Sequence, residues 1–171
     1  RFLDTSGYDS VGARVISRDV RGTKAVLTID RGKDDSLEVG QAVVTDEGIM
    51  IGKVSALQDR IATVELLTDP RSRVAAAVQV KGQLAGVLEG RGNGASVLTF
   101  IPSSETVVPD QLIVTAGTEE KVPGNLPLGI VNTVDAKPSD PFFRATVEPL
   151  VALDRVVFVA VLRPSALRPR L

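Results

Sequence analysis

The chain has 171 residues, with 20 Lys and Arg against 21 Asp and Glu, a net charge of −1, 43% apolar residues and only 4% aromatic ones. The even charge balance disfavours a nucleic-acid binder, which shows a basic patch and a high pI. The absence of cysteine excludes disulfides and thiolate metal sites, and the absence of histidine removes Ser-His-Asp and Cys-His catalysis together with every imidazole metal site, so no cofactor is expected.

In chain order, strand signals dominate. Segments 13–20 (ARVISRDV), 24–32 (KAVLTIDRG), 40–48 (GQAVVTDEG), 49–57 (IMIGKVSAL), 61–68 (IATVELLT) and 73–80 (RVAAAVQV) are short, rich in β-branched residues and separated by turn residues. Near 66–73 (LLTDPRSR), Thr68 and Asp69 before Pro70 suit the start of one short helical turn. No run reaches the roughly 18–20 apolar residues that span a bilayer. With Arg1 in first place, the chain reads as part of something longer.

The second half then repeats the first. The motif ARVISR at Ala13 is answered by AGVLEG at Ala85, VLTI at Val26 by VLTF at Val97, and the threonine of AVVTDEG, Thr45, by Thr115 of LIVTAG. Further on, IGKV (51–54) is answered by LGIV (128–131), ATVELL (62–67) by ATVEPL (145–150), and VAAAV (74–78) by VFVAV (157–161). Six matches in one order indicate two copies of a six-strand unit. The expected fold is therefore all-β: two small six-stranded β-barrels of related sequence packed together, 12–81 and 82–163, with 164–171 a C-terminal tail. A unit of this size buries only about 60% of its unfolded surface, so the copies are expected to stabilise each other.

Candidate chemistry is sparse. Gly90, Gly92 and Gly94 lead into a strand rather than a helix, so EGRGNGAS reads as a turn and not a phosphate cradle. Asp34 and Asp35 lack the further ligands of a calcium loop. Thr115 as a nucleophile would need a base, and Lys121 on a polar loop is a poor one; its twin Thr45 argues that both are structural turn positions. The connection after Thr115 is longer than the one after Thr45, the extra residues being TEEKVPGN, and contact with another protein is expected there through Glu119, Glu120 and Val122. Phe142 and Phe143 sit between prolines and a strand, where alternation points one inward and the other outward as a partner contact.

The segments LTIDRGKDDSLEVGQAVVTDEGIMIGKV, ATVELLTDPRSRVAA, DQLIVTAGTEEKVPGNLPLGIV and FFRATVEPLVALDRVVFVAVL resemble the rod-shape-determining protein MreC family over about 12–163. Thr115 and Gly117 match that family's T-S-G with Ala116 for the serine, Val122-Pro123 stands for its Phe-Pro, and Leu128-Gly129-Ile130-Val131 for its closing element; Thr115, Gly117, Pro123 and Gly129 are thus its structural turn motif. The resemblance implies a chymotrypsin-like arrangement of the barrels without a catalytic triad. It implies an extracytoplasmic domain on the periplasmic side of the inner membrane, anchored by an N-terminal helix absent here, with residues 1–11 a remnant of a coiled-coil connection. It implies a non-catalytic scaffold of cell-wall elongation that binds the class B penicillin-binding transpeptidase, is linked to MreD, RodZ and MreB, and self-associates. The alternative is a degenerate double-barrel serine-type hydrolase acting through Ser103 or Thr115. A carbohydrate-binding module is disfavoured by the absence of Trp and the single Tyr8.

Overall fold

The computed structural model describes residues 7–79 and 84–164. Twelve strands follow one another among these residues: β1 (Tyr8–Arg21), β2 (Lys24–Ile29), β3 (Ala42–Val44), β4 (Met50–Leu57), β5 (Ala62–Leu66), β6 (Arg73–Val78), β7 (Leu84–Gly92), β8 (Ala95–Pro102), β9 (Leu112–Thr115), β10 (Pro127–Asp135), β11 (Phe142–Pro149) and β12 (Phe158–Pro164). Alternation drives them. In β2, Ala25, Leu27 and Ile29 are buried while Lys24, Val26 and Thr28 are not. The expected helical turn at 66–73 is a pair of hydrogen-bonded turns; short 3-10 turns occur instead at Lys33–Asp35 and Leu153–Arg155. Asp69 spends its carboxylate on Arg71 and on Ala25 rather than capping a helix.

The strands close two antiparallel six-stranded barrels with cyclic orders β1-β12-β3-β4-β5-β2 and β7-β6-β9-β10-β11-β8. The orders superimpose strand for strand when β1 is matched to β7, β2 to β8, β3 to β9, β4 to β10, β5 to β11 and β12 to β6. The two sequence copies are therefore related by a pseudo-twofold axis, with a reciprocal exchange: each copy gives its sixth strand to the other's barrel. The barrels are consequently not the contiguous segments 12–81 and 82–163, because β6 lies in the second and β12 in the first. The residue 81/82 boundary itself, residues 1–6 and the tail from 165 lie outside the described residues. From Tyr8 onward the expected coiled-coil remnant is already β1, with Tyr8 opposite Pro164.

Twin glycines show how closely the copies match. A Cβ on Gly52 of β4 would stand 2.2 Å from the Glu65 carbonyl oxygen, and one on Gly129 of β10 would stand 2.4 Å from that of Glu148. Only glycine lets these strands approach so near. Strands β4 and β10 also touch across the barrel interface, and the two interiors join in one apolar cluster built from Leu27, Met50, Ile51 and Leu66 on one side and Leu88, Leu98, Ile113 and Leu128 on the other.

Candidate partner-binding surface

The turn after β9 is organised by Thr115, 1% exposed. Its hydroxyl donates to the Pro123 carbonyl (2.6 Å) and accepts from the Leu126 N–H (2.9 Å). The same staple exists in miniature in the first copy, where Thr45 Oγ1 accepts from the Ile49 N–H at 3.3 Å. A buried hydroxyl with both capacities used is a structural group, not a nucleophile. Pro123 is buried with it, and Gly117, at φ +81°, lies against Gly124 closely enough that a Cβ on either would meet the other's Cα at 3.1 Å.

The inserted residues fold back on the first barrel. The Glu119 carboxylate binds the Lys53 ammonium of β4 and accepts from the Ala75 N–H of β6 at 2.9 Å. Lys121 Nζ donates to the Val39 carbonyl (2.9 Å) and pairs with Glu38 (3.3 Å), and Tyr8 donates to the Glu120 carbonyl at 3.1 Å. Val122 is 3% exposed, inside the core. The expectation of a free contact loop is therefore corrected: Glu119 and Val122 are consumed in holding the barrels together, and Glu120 alone of the three keeps an exposed side chain. Their apolar and charged types were visible in the sequence; that the partner was the other barrel was not.

A different face carries exposed aromatic surface. Phe143 of β11 packs against the core, while Phe142 is 45% exposed. Beside it stands Phe100, 55% exposed, with ring centroids 5.8 Å apart and planes at 74°, an edge-to-face pair. Phe100 is held at φ +67°, a left-handed conformation costly for a bulky side chain. The cause is an irregularity in the β8–β11 register between the Ile101–Phe143 and Leu98–Ala145 pairs, which leaves Thr99 and Phe100 opposite Arg144. A cleft of about 390 Å³ runs along the pair, bordered by Glu89, Arg91, Asp135, Lys137 and Arg144. Sequence reasoning missed Phe100, because the VLTI/VLTF match equated it with Ile29, which is fully buried. Two outward aromatic groups, one of them on a strained backbone, rimmed by both charge signs have the make-up of an interface centre.

Elsewhere the polar groups are structural. Asp69, 1% exposed, accepts from Ala25 N–H (3.0 Å) and holds Arg71 through both oxygens at 2.9 Å. The Arg71 hydrogen bonds hold its carboxyl at about 2 against an ordinary 3.8. Burial, with the Asp69 charge nearby, raises neighbouring Glu65. Among the described residues no cluster of three or more acidic groups could hold a metal.

The profile described as "Rod shape-determining protein MreC, barrel core" matches residues 15–163. The chain belongs to the MreC family. A cell shape-determining MreC of Listeria monocytogenes is 32% identical over 93% of this chain and 55% of its own length, and one from Haemophilus influenzae is 27% identical over 96% and 46%. The chain thus spans about half the length of these MreC relatives. A solved MreC from Listeria monocytogenes superimposes with a TM-score of 0.83 at 31% identity, covering 93% of this chain and 77% of that one. MreC from Pseudomonas aeruginosa, at 24% identity, shares the fold with a TM-score of 0.81 over 90% and 98%.

Proposed function

We propose that this chain is the docking part of a non-catalytic scaffold of bacterial cell-wall elongation, and that it binds the class B penicillin-binding transpeptidase through the Phe100–Phe142 face of the second barrel. The observation that carries the reading is that exposed aromatic pair, with Phe100 held at a positive φ, in a chain otherwise poor in aromatic residues. Membership of the MreC family supports it. So does a fold neighbour, MreC of Helicobacter pylori, which was solved in a complex with penicillin-binding protein PBP2 (TM-score 0.71, 16% identity, over 90% of this chain and 98% of that one). Anchoring by an N-terminal membrane helix, placement outside the cytoplasm, links to MreD, RodZ and MreB, and self-association belong to the same proposal for the longer protein. A double-barrel hydrolase is not favoured, since Thr115 is buried and bonded on both sides.

Calorimetry with the extracytoplasmic part of the cognate transpeptidase tests the reading. Phe142→Ala is expected to weaken binding about tenfold or more, the range of an interface hot spot. Phe100→Gly removes the ring while suiting the positive φ, so it is expected to lose affinity without losing thermal stability. Wild-type affinity in both variants would overturn the assignment of this face.

A further inference from the structure

Besides the loop inserted after β9, the correspondence between the copies breaks at the two crossovers. In the second barrel the crossover from β5 to β6 lies flat on the β7–β8 hairpin. Gly92 donates to the Thr68 carbonyl (2.7 Å), Gly90 donates to that of Ser72 (3.1 Å), and a Cβ on Gly90 would stand 2.0 Å from the Asp69 carbonyl oxygen. Cross-strand register gives the counterparts in the first barrel. Gly90 faces Ser96 and Gly92 faces Ala95, as Val20 faces Ala25 and Arg21 faces Lys24. Side chains now stand where the glycines were. The second crossover, between β11 and β12, stands off, tied by Arg18 Nη1 donating to the Asp154 carbonyl at 3.1 Å. A cleft of about 620 Å³ opens between them, walled by Val20, Leu66, Leu150, Val151 and Leu153. Its size is that of a ligand or side-chain pocket.

The same break leaves backbone without a partner among the described residues. Strand β12 pairs with β1 only from Tyr8 to Arg14, with one further bond from Val15 N–H to the Val157 carbonyl, while β1 runs on to Arg21. The two-residue turn at Gly22-Thr23 makes Arg21–Lys24 a hydrogen-bonded pair, so Val20–Ala25 and Arg18–Leu27 are non-bonded pairs. Ala25 accordingly sends its N–H to Asp69. The N–H and C=O groups of Arg18 and Val20 therefore point away from β2, along a sheet edge, although the barrel is closed. Three cations rim this edge, Arg18, Arg21 and Lys24, against the carboxylates of Asp19 and Asp154; Asp19 holds both Arg21 and Lys24 at 3.1 Å.

We propose that the Arg18–Val20 edge and its cleft take an extended segment of a partner protein as an added strand, with apolar side chains in the cleft and acidic ones toward the cationic rim. In the second barrel the chain itself covers the equivalent edge: strand β6 pairs with β7 as far as Arg73 opposite Glu89, and the turns at 68–72 carry it on by offering the Ser72 and Thr68 carbonyls to Gly90 and Gly92. Strand addition of this kind draws affinity from the main chain and selectivity from alternate side chains. A second copy of the chain would set the cationic rim against itself, which like-charge repulsion opposes. The edge belongs to the first barrel, with the β7–β8 turn and the end of β11 closing the cleft from the second, and the site is apart from the aromatic face.

The test is amide exchange by NMR on the isotope-labelled chain, with an acetylated, amidated heptapeptide of alternating valine and glutamate. The Arg18 and Val20 amides are expected to slow about tenfold at millimolar peptide, while a valine–lysine peptide has no effect. Val20→Pro removes the edge N–H, at a position where proline costs no ladder bond, and is expected to abolish the effect. Val20→Glu keeps the N–H but repels the acidic peptide, and should abolish it too; Phe142→Ala should leave it unchanged. No protection at 16–21, equal protection by the lysine peptide, or protection that rises with protein concentration without peptide would each overturn the proposal, the last by showing a second copy on the edge.

Discussion

Two buried polar side chains do the most at the level of single residues. Asp69 ties β2 to the β5–β6 crossover, and its depressed carboxyl fixes a sign. Its contribution is fully present above the unfolded value of 3.8 and is lost as pH falls through about 2. Glu65 acts in the opposite direction, since a raised carboxyl gains protons more readily in the folded state. Urea unfolding across acidic pH is expected to show stability falling between about pH 4 and pH 2, and Asp69→Asn is expected to be less stable at neutral pH with a flatter acid limb. Thr115 carries two hydrogen bonds where Thr45 carries one longer side-chain bond. Thr115→Val is therefore expected to cost about 2 kcal/mol and Thr45→Val less than half of that, read by the same denaturation. Both threonines were legible as structural from their twinned positions. Phe100 was not, because a positive φ at a non-glycine residue is imposed by a register irregularity that no local residue pattern announces.

Strands and turns were read closely because alternation is a local property. The segments expected at 13–20, 49–57 and 61–68 enclose or overlap β1, β4 and β5 within a few residues. The crossovers were not so readable. Nothing in the alternation of VAAAV says which barrel its apolar face will fill, since both copies offer an equivalent vacancy; the choice is made by the path of 67–72 and of 150–157. The inserted hairpin loop was recognised as extra, but its ion pairs with Lys53 and Glu38 join residues far apart in sequence. The glycine twins make a test at this level. Gly52→Ala or Gly129→Ala would drive a methyl into backbone carbonyl oxygen that has no rotamer to change. Each is expected to cost about 3 kcal/mol and to lower the melting temperature by roughly 6–12 °C in calorimetry.

Taken whole, the molecule is one folding unit with two barrels rather than two domains in series. Residues up to 79 lack β12 and leave β6 without neighbours; residues from 84 lack β6 and leave β12 alone. Each half expressed separately is expected to give a collapsed NMR spectrum. The two halves cut at 80–83 and mixed are expected to reassemble into a 1:1 complex with the dispersion of the intact chain, since each supplies the strand the other lacks. Well-dispersed spectra from either half alone would contradict the exchange.

The exchange also sets how force crosses the molecule. Strand β11 carries Phe142 and is joined by covalent chain, through 150–157, to β12, which pairs with β1 from Arg14 back to Tyr8. A pull on the Tyr8 end of β1, resisted at the Phe142 face, grips the two strands of that ladder at opposite ends. The ladder is then loaded in shear, its seven residue pairs sharing the tension, whereas a pull between Tyr8 and Pro164 would peel the same pairs apart one after another.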